Sequence, residues 1–123
     1  MNLGPFQPGS ASTPSSQIEL SVSCSNLSDR DLTSKSDPTC ILLVPKGGSS
    51  TDEWIEYGRT EKIMDSLSPQ WQTKFVINYM FEERQMLRFL VMDIDSERLT
   101  KMSDHDSLGY IDCSLGEVRI LYF

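Results

Sequence analysis

The sequence predicts an all-β fold, an antiparallel sandwich in one domain. Short apolar runs alternate with polar residues at a period of two, Gly, Pro, Asn, Asp and Ser separate them at short intervals, and no segment has a sustained helical period. The 123 residues, 38% of them hydrophobic, suffice for one ordinary core.

Residues 1–16 are rich in Pro, Gly, Ser and Thr and nearly uncharged, and are expected to form a flexible leader before a domain over 17–123. Ile18, Leu20, Val22 and Cys24 then alternate with Glu19, Ser21, Ser23 and Ser25, so a first strand buries one face. After a polar segment, Pro38 opens the run Thr39 to Val44, aliphatic on both faces and so a strand covered on both sides. Pro45 to Ser50 reads as a turn, and a third strand is expected from Trp54 to about Ile63. Ser68-Pro69 leads into a fourth, Trp71 to Tyr79, with Thr73, Phe75, Ile77 and Tyr79 on one face, expected to pair antiparallel with the third. Leu87, Phe89 and Val91 alternate with Arg88, Leu90 and Met92 in a fifth strand ending at Asp93, and Leu108 to Leu115 forms a sixth.

Composition removes several function classes. No apolar run approaches the roughly 20 residues of a membrane-crossing helix, and the first residues lack the basic and hydrophobic regions of a signal peptide, so a cytoplasmic protein is expected. The net charge is −7 and the 11 Lys and Arg form no run, which argues against nucleic acid. Cys24, Cys40 and Cys113 are odd in number, widely spaced and set in apolar stretches, the pattern of buried reduced thiols. His105 is the only histidine, and no nucleophile motif, phosphate-binding glycine loop or zinc pattern accompanies it, so no enzyme is expected. Trp54 and Trp71 read as packing residues.

The chemistry lies in the aspartates. Asp31 and Asp37 occupy one segment between strands, and Asp93, Asp95 and Asp106 flank another. Any one of them alone reads as a turn residue capping backbone N–H groups. Together, at strand ends, they supply the hard oxygens that Ca²⁺ requires, while the twelve-residue EF-hand pattern is absent. Asp104 competes with Asp106 for the closing position.

Asp31 followed by Asp37-Pro38, Ser68-Pro69-Gln70-Trp71, and Asp93-Ile94-Asp95 before His105-Asp106-Ser107-Leu108-Gly109 resemble a C2 domain. Ser34-Lys35-Ser36-Asp37-Pro38, Glu56-Tyr57-Gly58-Arg59-Thr60-Glu61 and the run from Phe81 to Phe89 resemble the first C2 domain of the copines, from about Ile18 to Val118. The resemblance implies a Greek-key C2-type sandwich with about six of eight strands present and its C-terminal end incomplete, less stable than a longer version. It also implies calcium-dependent binding to anionic phospholipid membranes. Asp31, Asp37, Asp93, Asp95 and Asp106 match the ligand positions for two or three Ca²⁺ ions, with backbone carbonyls of Arg30 and Ile94 as neutral ligands and Asp104 as the substitute.

At the loop tips, Leu32, Leu99 and Met102 suit insertion among headgroups, and Lys35, Arg98 and Lys101 suit anionic lipid; packing back on the domain is their alternative. The expected behaviour is a cytoplasmic protein that moves to the plasma membrane or another intracellular membrane when calcium rises. The competing expectation is a calcium-independent protein-interaction module using the sandwich surface, such as the face of Arg88, Leu90 and Met92, and a protein partner is compatible with both.

Overall fold

The computed structural model describes residues 15–27, 37–47, 52–80, 83–94 and 107–118. Six strands follow in order: β1 (Ser15–Leu20), β2 (Pro38–Pro45), β3 (Trp54–Arg59), β4 (Phe75–Met80), β5 (Met86–Asp93) and β6 (Ser107–Ser114), and a single 3-10 turn, Leu115–Glu117, closes the described chain. They form two antiparallel sheets, one of order β3-β2-β5-β6 and one of order β1-β4. The fold is the expected antiparallel sandwich.

The core lies between the sheets. Leu20, Phe75 and Ile77 from the smaller sheet meet Cys40, Leu42, Leu87, Phe89 and Val91 from the larger one. Each strand delivers these side chains by alternation, because successive residues point to opposite faces. Leu42, Leu87 and Val91 are fully buried, and each such side chain contributes about 1.5 to 3 kcal/mol relative to exposure. β2 is buried on both faces, as its unbroken apolar run requires: Ile41 and Leu43 form a second cluster with Met92 on the outer side of the larger sheet.

The pairing of β3 and β4 differs from expectation. β3 pairs with β2, with a bulge between Leu42 and Leu43, while β4 crosses to the other sheet and pairs with β1. The 15 residues between β3 and β4 exceed a hairpin loop and carry the chain across the sandwich. β3 also stops short of Ile63. Beyond Arg59 the chain stays beside β2 through isolated bonds, Thr60 N–H to the Cys40 carbonyl and Ile63 N–H to the Pro38 carbonyl.

β1 begins at Ser15 and ends at Leu20, earlier than the alternation suggested. Val22 and Cys24 still pack on the core, held by an isolated bridge from Ser23 to Gln70 and by the Cys24 N–H on the Pro69 carbonyl, 2.9 Å. The three cysteines are free, and burial pushes the Cys24 thiol up to about 11 and the Cys40 thiol up to about 12. Trp71 is buried in the core, while Trp54 lies on the outer face.

On that outer face the charged and aromatic residues engage one another. The Arg88 guanidinium stacks over the rings of Trp54 at 4.5 Å and Tyr110 at 4.4 Å, and pairs with Asp112 through two bonds of 2.7 and 2.9 Å. Met92, further along β5 on the same face, is buried.

Candidate functional site

β2 starts and β5 ends at the same pole of the sandwich, because antiparallel pairing places Pro38 opposite Asp93. Proline at the first position of a strand costs no ladder bond, since the N–H it lacks lies outside the sheet. Asp37 and Asp93, 56 residues apart in sequence, are thereby neighbours. The Asp37 N–H donates to Asp93 Oδ1 at 3.0 Å, and the Ile94 N–H donates to the Asp37 carbonyl at 3.2 Å. Two bonds zip the mouths of the two acidic segments together.

A third segment joins them. The Asp65 N–H donates to Asp37 Oδ1 at 2.8 Å, with Asp65 in the left-handed region at φ 49°. An aspartate tolerates that conformation better than most residues, and it turns the backbone N–H toward the carboxylate. Sequence reasoning missed Asp65. Its residue type gives no signal, because what it contributes to the pole is a backbone N–H.

The surrounding backbone is anchored. The Pro38 carbonyl accepts from both Ile63 N–H, at 3.1 Å, and Trp71 Nε1, at 3.2 Å. Leu27 N–H donates to the Leu67 carbonyl at 2.8 Å, and Asn26 N–H to Ser68 Oγ at 3.1 Å, which fixes the start of the segment that leads to Asp31. At the start of β6, Gly109 has φ 145°, a conformation that L side chains rarely adopt, next to the register shift between Val91 and Met92.

Of the expected ligands, Asp37, Asp93 and Ile94 are described, and all three meet at this pole. Asp37 and Asp93 are both half-buried residues. Each has Oδ1 engaged by a backbone N–H, and among the described residues neither Oδ2 has a hydrogen bond. Asp31, Asp95, Asp104, Asp106 and Arg30 lie outside the described residues, as do Leu32, Lys35, Arg98, Leu99, Lys101 and Met102. Among the described residues alone, no group of three or more His, Cys, Asp or Glu is placed to hold a metal ion. The donor set present at the pole is carboxylate and carbonyl oxygen, chemistry that fits Ca²⁺ and not a soft metal.

Comparison with known proteins agrees with this architecture. The C2 domain family matches residues 18–121. The chain is 38% identical over 122 residues to Nicotinic receptor-associated protein 1 of Caenorhabditis elegans, covering 88% of this chain and 19% of that protein. It is 36% identical over 118 residues to Copine-D of Dictyostelium discoideum, covering 94% of this chain and 21% of that protein. Among solved structures, human GIVD cytosolic phospholipase A2 superposes with a TM-score of 0.67 at 25% identity, over 90% of this chain and 13% of that one. The chain belongs to the C2 domain family, and its two antiparallel sheets fit that family's β-sandwich. Within that family it is of the copine type, matching the N-terminal C2 domain. It spans about a fifth of the length of these two relatives.

Proposed function

We propose that this chain is a calcium-dependent membrane-binding module and not an enzyme. The observation that carries the reading is the meeting of Asp37 and Asp93, whose backbone and side-chain bonds join two acidic segments at one pole. Membership of the C2 family and similarity to copines support the same class of activity.

In this reading Asp31, Asp37, Asp93, Asp95 and Asp106 hold two or three Ca²⁺ ions, with the carbonyls of Arg30 and Ile94 as neutral ligands and Asp104 as the substitute for Asp106. Calcium supplies positive charge and open coordination positions that lipid phosphate or carboxylate oxygens complete. The chain's own residues do the rest. Bonds from Asp37 N–H and Asp65 N–H orient one oxygen of each described carboxylate and leave the other for a ligand. Leu32, Leu99 and Met102 enter the headgroup region, and Lys35, Arg98 and Lys101 meet anionic lipid, each basic contact worth about 1 kcal/mol. A cytoplasmic pool that moves to a membrane when calcium rises follows from this chemistry. Among the described residues no helix is long and apolar enough to cross a membrane.

The test is co-sedimentation with phosphatidylserine vesicles, in calcium and in chelator, of this chain and of its Asp93→Asn, Asp95→Asn double variant. Calcium-dependent binding by the parent that the double variant loses is the expected result. Calcium-independent capture of a protein partner by a folded chain that ignores the vesicles would overturn the reading in favour of an interaction module.

A further inference from the structure

The smaller sheet has two outer edges. In an antiparallel pair the N–H and C=O of one residue point to the same side, alternately toward the partner strand and away from it. On β4 the carbonyls of Val76, Asn78 and Met80 and the Met80 N–H meet partners outside the β1–β4 ladder, so these three residues face outward and Phe75, Ile77 and Tyr79 face β1.

Four of the six outward-facing backbone groups are occupied. The Tyr57 hydroxyl, from β3, donates to the Val76 carbonyl. Gln85 Nε2 donates to the Asn78 carbonyl at 2.8 Å, Gln85 Oε1 accepts from Met80 N–H at 2.8 Å, and Glu83 N–H donates to the Met80 carbonyl at 3.2 Å. The Gln85 side-chain amide therefore makes the pair of bonds that one residue of an added strand makes in a parallel ladder, donating to one carbonyl and accepting from the N–H two residues on. It is held there through its own carbonyl, which accepts from Leu115 N–H at 2.7 Å.

The sequence of β4 explains the need. Phe75-Val76-Ile77-Asn78-Tyr79-Met80 has no charge, no proline and no glycine, and the Val76 side chain is 41% exposed. Such a six-residue strand pairs readily with its own copies unless its edge is blunted. The usual device, a charged or proline gatekeeper, is absent from it. β1 is more polar, with Ser15, Ser16, Gln17 and Glu19, and among the described residues its outward-facing Gln17 and Glu19 backbone groups carry no comparable side-chain cap.

We propose that Gln85 and Tyr57 close the outer edge of β4 by imitating a neighbouring strand, and that this closure is what keeps β4 from pairing with β4 of a second copy of this chain. The surface is latent: removing the two side chains frees the Val76 and Asn78 carbonyls and the Met80 N–H, and leaves only the Met80 carbonyl occupied, by Glu83 N–H.

Sedimentation velocity over a concentration series tests this on three forms of the chain: the parent, the Tyr57→Phe, Gln85→Ala double variant, and the double variant carrying Asn78→Pro as well. Asn78 N–H points outward, so proline there removes a donor from the edge without breaking a β1–β4 bond. The double variant should self-associate at about tenfold lower concentration than the parent, and the triple variant should return to parental behaviour. Hydrogen exchange at the Met80 amide should accelerate in the monomeric double variant. Gln85→Met, which keeps the side-chain volume and removes both amide bonds, replaces Gln85→Ala if the latter does not fold. A folded variant that sediments like the parent overturns the proposal, and so does association that Asn78→Pro leaves unchanged.

Discussion

Replacing Asp93 by two different residues separates its structural bond from its proposed work on calcium. Its Oδ1 accepts the Asp37 N–H at 3.0 Å, a charge-assisted bond in a part-buried setting, for which about 1 to 2 kcal/mol is the expected contribution. Asp93→Ala deletes the acceptor and leaves that N–H to water or to nothing. Asp93→Asn keeps an oxygen at the same place and deletes only the charge. In chelator, thermal unfolding followed by circular dichroism should show the alanine variant about 3 to 12 °C below the parent. The asparagine variant should melt at or above the parent, because one charge has left an acidic cluster. Calcium at about 100 times its dissociation constant should stabilise the parent by about 2.7 kcal/mol, and both variants should lose most of that gain. An asparagine variant with the full calcium response would refute Asp93 as a ligand. Equal melting of the two variants in chelator would refute the structural role of the bond.

Thr60→Val should cost about 1 to 3 kcal/mol in urea unfolding, because the buried Thr60 Oγ1 accepts the Cys40 N–H at 2.9 Å and valine offers no acceptor; an unchanged midpoint would mean that the N–H finds another partner. Glu61 is held at about 2 by bonds from the backbone N–H groups of Gln72 and Thr73. Its folded value lies below its unfolded one, so its contribution is complete above about 4.5 and is lost as pH falls toward 2; Glu61→Gln should flatten that part of the stability profile. Alkylation of native chain at pH 8 should be much slower at Cys40 than in urea, since burial keeps its thiol protonated, and equal rates would contradict the buried position.

Much of the fold was legible because its signals are local. Alternation identified the inward residues of β4 and β5, and the apolar run Thr39 to Val44 announced a strand covered on both faces. Asp37 and Asp93 were legible as candidates because a carboxylate at a strand end carries its chemistry in its side chain. Asp65 was not, because its contribution is a backbone N–H, which every residue except proline has and no residue type announces. Gln85 was hidden for a related reason: in sequence it is a polar residue in a turn, and only the path of β4 shows that its amide stands where a strand would.

By itself the sequence determined the class of fold, the strand faces and the acidic character of the segments between strands, since side-chain period and residue type are properties of a single stretch of chain. Only the tertiary structure decided that β3 pairs with β2 while β4 pairs with β1, and that Pro38 lies opposite Asp93. Those choices depend on how two sheets share one core, a balance among residues far apart in sequence. From that balance comes the adjacency of Asp37 and Asp93.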